Sequence, residues 1–124
     1  MAKAKKSNAL EALLNANPDV KEQVYIKRFD AEFTITGLDQ DAFESAQEEA
    51  SFDGKLNQKE LNNILIARSC IDPDFSDSDL IEKYGARDAG DCVNKALKFG
   101  EIATLTEKIV ELSGLDTSLD KAKN

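Results

Sequence analysis

Gln23-Val-Tyr-Ile-Lys-Arg-Phe29 and Glu32-Phe-Thr-Ile-Thr36 are the two stretches whose reading decides the fold. Both are rich in β-branched and aromatic residues, and the second alternates polar with apolar, the period of a half-buried strand. They read as one β-hairpin at about 23–36, with Asp30-Ala31 as the tight link, although that link lacks the glycine such turns favour. Two strands alone are marginally stable, so the hairpin must lie on helices or pair with another chain.

Working outward, the rest is helical. Upstream, Ser7 is placed to cap a short helix carrying Leu10, Leu13 and Leu14. It should stop near Asn17-Pro18, because a residue before proline is pushed out of the helical region. Downstream of Gly37, Asp39 is a good N-cap, and Leu38 can touch Phe43 as a hydrophobic staple. The helix that follows carries Ala42, Phe43, Ala46 and Ala50 on one stripe, and Phe52-Asp53-Gly54-Lys55 breaks it. Asn57 with Glu60 resembles a capping pair. The helix it opens runs to about Ile71, nearly encircled by Leu61, Ile64, Leu65 and Ile66, which predicts a central place in the core. Asp72-Pro73 ends it.

Ser76 and Asp79 open a short helix, Asp77 to Tyr84, closed by Gly85. Asp88 starts another, with Ala89, Val93, Ala96 and Leu97 on one face, ending at Phe99-Gly100. In the last helix Ile102, Leu105, Ile109 and Leu112 recur at three- and four-residue spacing, and Gly114 supplies the stop. Gly85, Gly100 and Gly114 are each expected just past a helix end, where a left-handed conformation is cheap for glycine. The expected fold is α+β and predominantly α-helical: a short N-terminal helix, one β-hairpin, then four to five helices in a compact bundle. A single domain is expected at 9–115, between a flexible basic tail at 1–8 and a flexible C-terminal tail at 116–124.

The length of 124 residues suits one domain of ordinary size. With 41% hydrophobic residues but only 6% aromatics and no Trp, the core must rest on Leu, Ile, Val and Ala. Acidic side chains number 24 against 16 basic ones, a formal net charge of -8. Nucleic-acid binding draws its affinity from positive charge at phosphates, so this balance argues against it. The only basic cluster, Lys3, Lys5 and Lys6, reads as a solvated tail. No stretch approaches membrane-spanning length, and residues 1–20 hold no apolar run resembling a secretory signal, which makes cytoplasm the default. Cys70 and Cys92 suggest no disulfide framework and read as small buried hydrophobes.

The chain contains no His, which removes the commonest general base and the commonest transition-metal ligand. No nucleophile motif or phosphate loop appears, so neither catalytic residues nor a cofactor are expected. Asp72-Pro-Asp74-Phe-Ser76-Asp-Ser78 imitates the start of a calcium loop. An EF-hand needs Gly at its sixth position and a bidentate Glu at its twelfth, and here those places hold Asp77 and Lys83. The stretch reads as a proline stop followed by a helix cap, and no metal site is expected.

In this order of elements, several segments resemble the XkdN-like phage tail assembly chaperones of Gram-positive phages and prophages. They are the leading Leu-rich helix, Val24-Tyr-Ile-Lys-Arg-Phe29, Ile71-Asp-Pro-Asp-Phe75, Ile81-Glu-Lys-Tyr-Gly85, Asn94-Lys-Ala-Leu-Lys-Phe-Gly-Glu-Ile102 and Ile109-Val-Glu-Leu-Ser-Gly-Leu-Asp116. The resemblance spans nearly the whole chain through order and spacing, with no single diagnostic motif. It implies an assembly chaperone that binds the tape-measure protein, keeps it soluble and supports tail-tube polymerisation around it. It also implies the tail-tube protein and a longer, frameshifted form of the chaperone as further partners. The setting it implies is the host bacterial cytoplasm, with absence from the mature virion. It carries over no active site.

Apolar stripes on a long helical partner invite aggregation, and a helical protein can cover them by helix-in-groove packing. Phe75, Tyr84 and Phe99, near the helix joints, are the candidate partner surface; the competing reading makes them plugs of the core. A structural tail or adaptor protein that stays in the virion is the alternative function. A small acidic regulator is a third, resting on the six acids and no base of Asp39 to Asp53, which an exposed helix face also explains. The hairpin edge could pair between subunits, so a homo-oligomer is a further expectation.

Overall fold

The computed structural model describes residues 8–16 and 20–114. The expected cap at Ser7, the stop at Asn17-Pro18 and nearly all of both tails lie outside them. The first helix, α1 (Asn8–Asn15), buries none of its residues.

Strands β1 (Lys21–Ile26) and β2 (Ala31–Thr36) form the hairpin, antiparallel, in a register that runs from Lys21 opposite Thr36 to Ile26 opposite Ala31. Alternation turns Val24, Ile26, Phe33 and Ile35 into the core. The link is longer than the expected Asp30-Ala31. A single 3-10 turn over Lys27–Phe29 leads into Asp30, whose φ of 49° and ψ of 49° are left-handed. Aspartate tolerates that conformation, which removes the need for glycine. The Asp30 N–H donates to the Lys27 carbonyl at 3.1 Å, and its carboxylate accepts from the Tyr25 hydroxyl at 2.6 Å.

Asp39 caps α2 (Gln40–Glu49) by accepting from the Ala42 N–H at 2.8 Å. The break after it is a miniature hairpin, β3 (Ser51–Phe52) and β4 (Lys55–Leu56). Asp53 and Gly54 turn it with φ of 56° and 76°, the two positive values of a type I′ turn. Asn57 caps α3 (Gln58–Ser69) through the Glu60 N–H. This helix is central as its sequence implies, packed between α2 and the last two helices, with Leu61, Ile64, Leu65 and Ile66 all buried.

Helix α3 stops at Ser69, two residues short of the expected end. Cys70 turns extended (ψ 118°), and β5 (Cys70–Asp72) pairs antiparallel with β2, giving the order β1-β2-β5. The buried Ser69 hydroxyl donates to the Thr36 carbonyl and fixes the switch from helix to strand. The hairpin thus gains a third strand as well as helices on one face, which answers its marginal stability.

Helix α4 (Ser78–Tyr84) is capped by Asp77 rather than by Ser76, whose hydroxyl is committed to Asp74 at 2.6 Å. Gly85 closes it at φ 60°. Asp88 caps α5 (Ala89–Ala96), which ends before the expected Phe99-Gly100. Phe99 and Gly100 instead open α6 (Phe99–Leu112), because the Lys98 N–H donates to Glu101 Oε1 at 2.8 Å across the new N-terminus. Gly100 therefore follows no helix; Gly114, at φ 86°, follows α6 as read from the sequence.

The main core joins the inner face of the sheet to Ile66, Val93, Leu105 and Ile109. A second cluster joins Ala46 and Ala50 of α2 to Leu61, Ile64 and Leu65, with Leu38 and Phe43 at its edge. The fold is α+β and predominantly helical. Among the described residues no helix is long and apolar enough to cross a membrane.

Candidate partner-binding groove

At the turn end of the hairpin, β2, the Pro73 loop, α4 and the end of α5 enclose an open apolar groove of about 380 Å³. Phe29, Phe33, Leu80, Tyr84 and Leu97 wall it, and Glu32 and Asp72 are its only charged residues among those described. Its floor is an aromatic stack. Phe29 and Phe33 lie 6.0 Å apart at 20°, and Phe33 meets Phe75 edge-on at 6.2 Å and 60°.

Arg28 holds one wall in place. Its guanidinium sits 4.2 Å over the Phe29 ring, donates to both Glu101 oxygens at 2.8 and 2.7 Å, and reaches the Ala96 carbonyl at 3.0 Å. One side chain thereby ties the hairpin turn to the joint between α5 and α6. The Arg28 hydrogen bonds, with the Lys98 N–H, hold the Glu101 carboxyl below the usual carboxylate range.

The three residues expected at a partner surface take three different positions. Phe75 is core, with 2% exposure, and lines the groove. Tyr84 is half-buried in the groove wall. Phe99 is 88% exposed and borders a separate cleft with Gln58, Asn62 and Ile102. The structure brings Phe75 and Tyr84 together and leaves Phe99 apart from them.

Phe29, Phe33 and Arg28 complete the groove and were not anticipated there. Strand alternation places Phe33 inward, which the sequence does signal. The position of Phe29 depends on the turn, and that of Arg28 on a contact with Glu101, 73 residues on.

Other candidate chemistry resolves into structural bonds. Asp74 accepts from the N–H and hydroxyl of Ser76, which holds its carboxyl below the usual range, while Asp77 caps α4. No group of three or more potential metal ligands occurs among the described residues. In the acidic run, Asp39 is a cap and Glu49 pairs with Arg68. In the polar cleft between α3 and α5, Arg87 pairs with Asp91, which also pairs with Lys95. Cys70 and Cys92 are both buried and free.

The profile of phage XkdN-like tail assembly chaperone proteins matches residues 10–124. The chain belongs to this family. XkdN-like proteins are assembly chaperones and not a family known for catalysis, and their role implies tail-related protein partners. The comparison with curated proteins finds no match. Among solved structures, the crystal structure of the protein YqbN is similar, with a TM-score of 0.72 and 20% identity over 90% of this chain and 100% of that one. At that identity the likeness concerns the fold alone. This XkdN-like chain and YqbN thus share a backbone arrangement despite limited sequence identity.

Proposed function

We propose that this XkdN-like chaperone binds the tape-measure protein of its phage, keeps it soluble and supports tail-tube polymerisation around it. The observation that carries this reading is the open apolar groove walled by Phe33, Tyr84 and Leu97. A tape-measure chain is long and helix-rich, and an amphipathic helix presents the kind of apolar stripe a groove of this kind accepts. Phe99, fully outside the core and in a separate cleft, is a second exposed apolar contact near the α5–α6 joint. The chain's net charge of -8 would keep the complex dispersed. The chaperone acts in the host bacterial cytoplasm and is left behind when the virion is complete.

Co-expression of the tape-measure protein with Tyr84→Asp and Phe99→Asp variants tests the surface. Both variants should stay folded by circular dichroism and lose the ability to hold the partner in the soluble fraction. Folded variants that solubilise it as well as the unaltered chain would rule this surface out. Mass spectrometry of purified particles tests the role: a chaperone is absent, whereas a structural tail or adaptor protein is found in stoichiometric amount.

A further inference from the structure

Helix α1 is amphipathic, and its apolar side chains are exposed. Leu10, Leu13 and Leu14 fall at the three- and four-residue spacing of a single helical face. Leu13 is 75% and Leu14 61% exposed, and no α1 residue is buried. Helices this short are marginal in water without a surface to pack on. The groove has the complementary character. Its walls are apolar and aromatic, and its charged residues, Glu32 and Asp72, are both acidic and exposed. In the sequence, Lys3, Lys5 and Lys6 stand immediately ahead of α1, the chain's one basic cluster. An α1 seated in the groove brings three positive charges and the positive end of a helix dipole to a negative rim.

We propose that α1 of one copy docks its Leu13–Leu14 face into the Phe33–Tyr84 groove of a second copy, and that the second copy returns the contact. The occupant is another molecule, since no residue of α1 lines the groove of its own chain. Reciprocal exchange gives two contacts related by a twofold axis, a closed arrangement. It also doubles the contact area, which one eight-residue helix alone would leave short of the roughly 1,200 Å² typical of stable interfaces. The inference uses the groove of the tape-measure reading but is tested apart from it, by self-association of the purified chain rather than by solubility of a different protein.

Sedimentation equilibrium of the full chain, from micromolar to about 1 mM, is the test. The unaltered chain should be a monomer–dimer mixture whose dimer weakens with salt. Leu13→Glu with Leu14→Glu should raise the dissociation constant about 100-fold or more, because two leucines lose their apolar seat. Charge reversal at the rim (Glu32→Lys with Asp72→Lys) or in the tail (Lys3→Glu, Lys5→Glu and Lys6→Glu) should each weaken self-association about 10-fold or more at low salt. Mixing the two reversed forms restores opposite charges at both contacts, so a heterodimer should reappear. A chain that is monomeric throughout overturns the proposal. So does a dimer that survives the α1 double substitution, as pairing through the outer edge of β1 would, or a mixture that associates no better than its components.

Discussion

Gly37 lies against the backbone of Leu112: a Cβ at position 37 would stand 2.6 Å from the Leu112 carbonyl oxygen and 2.9 Å from its carbon. Both obstacles are main chain, so neither can swing aside. The same junction is bonded in two steps. The Leu38 N–H donates to Ser113 Oγ at 2.8 Å, and that hydroxyl donates to the Ile109 carbonyl at 2.6 Å. The end of the hairpin is thereby fastened to the end of α6. Gly37→Ala should cost about 1–3 kcal/mol, the range of overpacking in a close-packed site. Urea unfolding checks this; a variant as stable as the parent would mean the approach is looser than described.

The Arg28–Glu101 pair predicts an acid-sensitive joint. Arg28 lowers the folded value of the Glu101 carboxyl relative to its ordinary value of 4.5. A depressed carboxylate stabilises the fold fully above its unfolded value, and that contribution is lost as pH falls through the lower folded value. Asp74 and Asp91 act in the same direction. Stability should therefore fall on acidification below the ordinary carboxylate range. Glu101→Gln should lower stability at neutral pH and flatten, without abolishing, the acid limb. Urea midpoints between about pH 7 and pH 3 measure both effects. Superimposed curves for parent and variant would show that the pair contributes nothing.

These two junctions mark the limit of what the sequence could tell. Caps are local: Asp39, Asn57 and Asp88 each bond an N–H three residues on, and each was readable from neighbouring residues. The hairpin was readable from its alternation. Strand β5 was not, because three residues carry no period and Cys70–Asp72 is extended only through pairing with β2. The joint at Lys98 was misread because Gly100 looked like a stop, whereas Glu101 three residues after Lys98 was the available capping signal. Of the groove, Tyr84 was accessible as the residue before a helix-closing glycine. The part played by Arg28 depends on Glu101, 73 residues on, and that of Phe29 on the 3-10 turn that replaces the expected two-residue link.

Phe75 and Phe99 should respond in opposite ways to the same substitution. Phe75 packs on Phe33 with 2% exposure, so Phe75→Ala leaves a cavity costing about 3–5 kcal/mol. That is a large share of the roughly 5–15 kcal/mol that holds a small domain together. Phe99→Ala, at 88% exposure, should change stability by less than about 0.5 kcal/mol. Denaturation of the two variants side by side decides it. Equal losses would place Phe99 in the core; no loss for Phe75 would take it out.

Both thiols should resist reagents in the folded chain, and in a definite order as it opens. Burial, then the Asp72 charge, pushes the Cys70 thiol up to about 12, and burial raises Cys92 as well. Reaction requires the thiolate, so at about pH 8 each cysteine must first be uncovered. Cys70 begins β5, a three-residue strand at the edge of the sheet, with 6% exposure. Cys92 lies in the same core cluster but within α5 and at 0% exposure. Edge elements open locally at lower free energy than the core does. Timed labelling with a disulfide reagent should therefore modify Cys70 slowly and Cys92 more slowly still, with both reacting at once in denaturant. Mass spectrometry of the labelled peptides gives the order. Immediate reaction of either thiol in the native chain would contradict its burial, and Cys92 reacting first would contradict the edge position as the weaker point.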